Sequence, residues 1–211
     1  MSRDSWYRNE AWDPAIEAAF FEKLARARSQ RDQYLVIQAL TLSDKEPEVA
    51  LRLVDTYFET KSGDFENMRA LLARAQAYEK LDDLPRAIEC YKDVLAREAE
   101  FPNHLSGTSL TLPYLIACRE VTEEYDFAIE LLRNITDDLM FPIGHFRWHA
   151  SLALILNDQG HREEAREHAR SAVQIAKIRR SGFRYHQELG LVGEEQKNIV
   201  RKMDRLANCL A

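Results

Sequence analysis

The sequence predicts an all-α protein built from antiparallel helical hairpins stacked side by side. Three observations carry this. Apolar residues recur at helical spacing along nearly the whole chain. Strand signals are scarce, since no Asn-Gly or Asp-Gly turn separates alternating apolar runs. Four alanines, Ala50, Ala87, Ala128 and Ala165, recur at separations of 37, 41 and 37 residues, each in the second helix of a helix–turn–helix segment.

The elements follow in order. Asp13 and Pro14 supply an N-cap and a proline at the first helical position. Ile16, Phe20, Leu24 and Ala27 then mark one face, which predicts a helix over 14–29. Tyr34, Leu35, Ile37, Thr41 and Leu42 predict a second over 31–43. Pro47 opens a third, with Ala50, Leu51, Val54 and Tyr57 along one side, ending near Ser62-Gly63-Asp64. A fourth is expected over 65–81, with Leu71, Ala75 and Tyr78. A fifth covers 84–98, with Ala87, Tyr91, Val94 and Leu95. Residues 101–108 have the composition of a loop. Helices follow over 109–122, 125–138, 142–158 and 162–180. Ser181-Gly182 then breaks the pattern, 183–193 read as irregular, and a last helix fills 194–209 with Ile199, Met203, Leu206 and Leu210 as its apolar stripe.

A fixed frame surrounds each alanine. Sixteen residues upstream stand Tyr34, Leu71, Leu112 and His149; nine upstream, Thr41, Tyr78, Arg119 and Leu156. Four downstream stand Val54, Tyr91, Leu132 and Ala169; seven downstream, Tyr57, Val94, Ile135 and Ala172. The physical cause is steric: antiparallel helices approach to about 8–10 Å where a side chain is small, and larger neighbours fill the groove.

The run from Ala75 to Leu95, with Tyr78, Asp82-Asp83, Ala87, Tyr91 and Val94-Leu95, resembles the tetratricopeptide repeat (TPR). A second copy lies around Leu152, Ala153, Gly160 and Ala165, with Ala169 where an aromatic is usual. Weaker copies surround Ala50 and Ala128, where Gln38 and Ile116 replace a small residue, so their pairing is expected to be looser. The resemblance covers residues 31–180. It implies a right-handed α-solenoid of about four hairpins, with capping helices at 14–29 and 194–209. It also implies a concave groove, lined by the first helix of each hairpin, that takes a peptide or protein segment. Its expected contacts are Asp32, Leu35 and Ala39; Arg69, Leu72, Gln76 and Lys80; Ala117 and Glu120; and Arg147, Ala150, Leu154 and Asn157. Arg69 and Lys80 would clamp a carboxylate, and Gln76 and Asn157 would bond a peptide backbone.

With 211 residues, 45% hydrophobic and 30% charged, the chain is expected to form one soluble domain over 1–211. No apolar run reaches the roughly 20 residues that span a bilayer. The N-terminus lacks the apolar stretch of a secretory signal, and Cys90, Cys118 and Cys209 make no spaced pair, which together predict a cytoplasmic location with reduced thiols. Net charge is 0 over 1–43, −10 over 44–142 and +4 over 143–211. The acidic middle predicts a partner with a basic segment and argues against nucleic acid. Arg162, Arg166 and Arg170 lie among Glu163, Glu164 and Glu167, and read as a solvated face with local pairs.

Chemistry-bearing motifs are few. His145 and His149 stand four apart on one expected helix, and Glu164 and His168 repeat that spacing on the partner helix. Only part of a metal ligand set is there, and no His-Glu-x-x-His or cysteine pair supports it. No Gly-x-Ser-x-Gly elbow or phosphate-cradling glycine loop occurs. Cys90 and Cys118 read as small buried hydrophobes, and Glu123-Glu124 and Asp137-Asp138 as helix caps and solvated ends. Trp6, Tyr7 and Trp12 are expected to pack over the first hairpin, the alternative being an anchoring arm, and the apolar loop 181–193 is expected to be buried or functional, with occupation of the groove as one form of the latter. The sequence therefore predicts a non-enzymatic interaction module without cofactor. The alternatives are a dedicated chaperone or neutralising partner of one effector or toxin, and a metal-dependent hydrolase using the His145/His149 face.

Overall fold

The computed structural model describes residues 6–101, 103, 105–135 and 139–208. Leu210, Cys209, Asp137-Asp138, the first five residues of the N-terminal arm, and Pro102 and His104 of the loop at 101–108 lie outside the described residues. Ten α-helices account for most of the rest: α1 (Pro14–Arg26), α2 (Arg31–Leu42), α3 (Pro47–Thr60), α4 (Asn67–Lys80), α5 (Leu84–Glu100), α6 (Thr108–Cys118), α7 (Tyr125–Arg133), α8 (Pro142–Asp158), α9 (Arg162–Ala176) and α10 (Lys197–Asn208). Among the described residues there is no strand, and no helix is long and apolar enough to cross a membrane. The contacts divide the chain into two compact units, residues 1–108 and 109–211.

In the first unit, α2 packs on α3, α3 on α4, α4 on α5, and α2 on α4, as successive antiparallel hairpins require. The Asp13 carboxylate accepts from the Ala15 and Ile16 N–H groups at 2.8 Å and starts α1. Phe20 and Leu24 of α1 enter one core with Leu35, Val36, Ala39 and Leu42 of α2, Leu53, Val54 and Tyr57 of α3, and Ala70, Ala73 and Ala77 of α4. Each fully buried Leu or Phe side chain contributes roughly 1.5–3 kcal/mol. Helix α1 stops short of the expected 29 because Ala27 turns to an extended conformation (ψ 119°).

From Trp6 onward the N-terminal arm packs as expected. Trp6 lies 5.5 Å from the Phe20 ring and 4.9 Å from Tyr34, and Tyr7 stacks on Tyr34 at 4.5 Å. Gln38 explains why no small residue is needed at its position. Its side chain is fully buried; its Oε1 accepts from the Asn9 N–H and Nδ2 at 2.9 and 3.0 Å, and its Nε2 donates to the Asn9 carbonyl at 2.8 Å. The amide pins the arm where another helix would otherwise press.

In the second unit, α8 packs on α9 and α9 on α10, with α7 and α10 also touching α8. Ala165, Ala169 and Ala172 of α9 and Ala150 and Ala153 of α8 are all buried. Helix α10 buries Met203. Helix α9 ends at Ala176 and not at 180, where Lys177, Arg179 and Arg180 crowd like charges into one turn. Helix α7 ends at Arg133.

The hairpin turns locate the repeat frame better than the alanines do. Asp82 (φ 63°), Glu120 (φ 55°) and Gly160 (φ 84°) each occupy the left-handed region just after a first helix. Behind each, the next N–H bonds five residues back: Asp83 to Tyr78 O at 2.9 Å, Val121 to Ile116 O at 3.1 Å and His161 to Leu156 O at 2.8 Å. These are three Schellman closures, and glycine alone takes the conformation without strain. Ala87 and Ala165 lie five residues beyond the closure, but Ala128 lies eight beyond, because a 3₁₀ turn at Thr122–Glu124 is inserted. The fixed frame therefore lands three residues late in the third hairpin. Its true equivalents of Ala75 and Ala153 are not Ile116 but Pro113, and Arg119, placed by the frame in a packing position, is exposed.

Candidate functional site

One concavity of the first unit lies where the N-terminal ends of α2 and α4 meet. Ser29, Gln30, Asp32, Gln33, Ser62, Gly63, Phe65 and Glu66 line a cleft of about 240 Å³. The Ser62 N–H and hydroxyl both donate to Asp32 Oδ2, at 2.8 and 2.7 Å, which fixes the carboxylate at the cleft wall. Glu66 is nearly buried and pairs with Arg69 at 2.9 Å. Phe65 stands 78% exposed at the rim. Tyr57, which donates to Asn67 at 2.8 Å, has its pKa pushed up to about 12, first by burial and then by the charges of Asp32, Glu66 and Asp64.

Of the sequence-predicted contacts, Asp32 thus lies in the cleft and Arg69 at its back. Leu72 is half-buried one turn further along α4. Gln76 and Lys80 continue that face, but each is engaged: Gln76 accepts from the Ser43 hydroxyl at 3.0 Å and Lys80 pairs with Asp44 at 2.9 Å. Leu35 and Ala39 are corrections. Both are fully buried in the core and offer no surface to a partner. Phe65, Glu66 and Ser62 were missed, because nothing in the period of α4 marks the turn before it.

In the second unit the first-helix faces are largely taken. Leu154, Ala117 and Ala150 are buried, which corrects their assignment as groove contacts. Glu120 pairs with Lys202 of α10 at 3.3 Å. Arg147 lies over the Tyr114 ring at 5.4 Å, and the Tyr114 hydroxyl donates to Gln196. Burial, then the Cys118 thiol, raise the Tyr114 pKa. Asn157 is exposed at the end of α8. The loop after α9 splits in two. Gly190 accepts from the Ile143 N–H at 2.8 Å and has φ 70°, and a Cβ there would meet Phe141 at 2.3 Å. Residues 184–189, by contrast, are exposed, where burial was expected.

Two of the histidines meet. His149 and His168 face each other with Nδ1 atoms 3.0 Å apart, beside Trp148. Such a contact needs one ring protonated on Nδ1 and the other on Nε2. No group of three or more His, Cys, Asp or Glu converges as a metal site among the described residues. Burial, then His168 and His145, hold the His149 pKa down to about 4. His168 is also lowered by burial, against the opposing pull of Glu167 and Glu164. The unfolded chain, with a histidine pKa near 6.5, therefore takes up a proton before the folded one. Stability present above about pH 6.5 is lost as pH falls toward 4. Both rings are partly open to solvent, so the loss is on the order of 1 kcal/mol. Urea midpoints between pH 7 and 4.5 should fall less steeply for His149→Gln than for the native chain; parallel slopes would contradict this.

No family model, curated protein or solved structure matches the chain.

Proposed function

We propose that the chain is a non-enzymatic protein-interaction module of tetratricopeptide-like design, and that its partner presents a basic segment to the cleft between the ends of α2 and α4. The observation that carries this is the cleft itself: a carboxylate held rigid by Ser62, a second acid beside it, and an exposed aromatic ring at the rim. A lysine or arginine side chain finds there a charge-assisted acceptor and an aromatic face. Pre-fixing Asp32 lowers the entropy lost on binding. Half-buried Leu72 extends the contact surface one turn along α4. The hairpins of each unit stack with the right-handed twist of that repeat, α1 ending the first and α10 the second.

The experiment uses a short labelled peptide of alternating lysine and leucine, read by fluorescence anisotropy. Asp32→Asn keeps the acceptor for Ser62 but removes the charge, and should weaken binding about tenfold. Phe65→Ala should weaken it several-fold. Unchanged affinity in both variants would overturn the reading.

A further inference from the structure

The chain also carries an exposed surface of the opposite sign. Residues 177–186, Lys-Ile-Arg-Arg-Ser-Gly-Phe-Arg-Tyr-His, contain four lysine or arginine residues and no acid, in a protein of net charge −6. They do not form a loose tail. The Ser181 N–H donates to the Gln187 carbonyl at 2.7 Å and the Ser181 hydroxyl to the His186 carbonyl at 2.8 Å, so one nearly buried serine closes the loop at its base. Phe183 turns inward and stacks on Phe141 at 5.3 Å. The tip is thereby driven outward. Tyr185 is 81% exposed with the Arg184 guanidinium 5.4 Å over its ring, and Leu189 is 51% exposed. Residues 184–189 curl around an open concavity of about 580 Å³.

Lys177, Arg179, Arg180 and Arg184 are all exposed, and no ion pair joins them to another described residue. Elsewhere the cations are commonly neutralised: Arg69 by Glu66, Arg74 by Asp55, Arg86 by Asp83 and Arg166 by Glu163. Compact surface loops whose ends lie close together are frequently functional.

We infer that this loop is a second docking surface, and that it takes an acidic protein segment bearing an apolar side chain. Charge complementarity sets the sign of the partner. The exposed Tyr185, Leu189 and Ile178 supply contact for an aliphatic or aromatic neighbour of its acids. A nucleic acid fits less well. Four cations neutralise few phosphates, and strong electrostatic binding of that polymer rests on about six to ten. A long polyanion would also enter the field of a chain that is negative overall. A short acidic peptide needs only the patch.

The test is anisotropy titration of the full chain with a labelled glutamate–leucine peptide, its glutamine–leucine counterpart, and an oligothymidylate of matched charge. The native chain should bind the glutamate peptide most tightly, and more weakly as salt rises. The triple variant Arg179→Glu, Arg180→Glu, Arg184→Glu should lose at least tenfold, with an unchanged circular dichroism spectrum. Replacing the same three by lysine should retain most of the affinity, and Tyr185→Ala should lose several-fold. Equal binding of the glutamine peptide, tighter binding of the oligonucleotide, or an unaffected triple glutamate variant would each overturn the inference.

Discussion

Replacing Ala87 by leucine should destabilise the protein by about 3 kcal/mol, the upper part of the range for overpacking a filled site. Ala87 has no exposed surface, and α5, which carries it, packs directly on α4. Ala70, Ala73, Ala75 and Ala77 of α4 are buried as well. Small side chains of this kind let two helix axes come within about 8–10 Å. Three extra carbons can be housed only by forcing the helices apart or driving Tyr91 and Val94 off their rotamers, and both those neighbours are themselves buried. Ala87→Gly, by contrast, leaves the packing distance intact and should cost about 1 kcal/mol through helix propensity. Urea unfolding reads both. A leucine variant within 0.5 kcal/mol of the native chain, as surface changes are, would mean that α4 and α5 do not nest at this residue.

Replacing Gln38 by leucine should cost about 2–3 kcal/mol and release the N-terminal arm. The side chains are similar in size, so packing volume is nearly kept. What disappears is the acceptor for the Asn9 N–H and Nδ2 and the donor to the Asn9 carbonyl. Leaving buried polar groups unmatched costs about 1–3 kcal/mol. The arm can avoid that cost only by lifting off, which exposes the faces of Trp6, Tyr7 and Trp12 now packed on the core. Tryptophan emission should shift to the red, and limited proteolysis should cut within residues 6–13. An unshifted spectrum with native stability would show that the aromatic contacts hold the arm without the amide.

The fold was largely legible because its signals are local. Helices α2, α3, α4, α5 and α8 begin and end within two residues of where apolar spacing, Pro47, Pro142 and Gly160 place them. The four alanines are buried, as the packing argument requires. Where the frame slipped, in α6 and α7, the cause was a three-residue 3₁₀ turn that shifts register without altering apolar spacing. The site was less legible. The repeat resemblance named Asp32 and Arg69 as groove contacts, and Asp32 lines the cleft with Arg69 paired to Glu66 beside it, but the same resemblance named Leu35 and Leu154. Both helices they sit on are buried on more than one face, so period alone could not say which apolar side chain faces out.

The amino-acid sequence by itself determined which segments are helical, where small side chains permit close approach, and that Asp13 starts the first helix, because those depend on neighbours within a turn or two. Only the tertiary structure decided that Gln38 grips Asn9 across 29 residues, that Ser62 holds Asp32 across 30, and that His149 meets His168 across 19. The physical reason is that a polar group seeks whatever partner the packed helices bring within about 3 Å. That meeting is set by how the elements dock, and no local spacing encodes it.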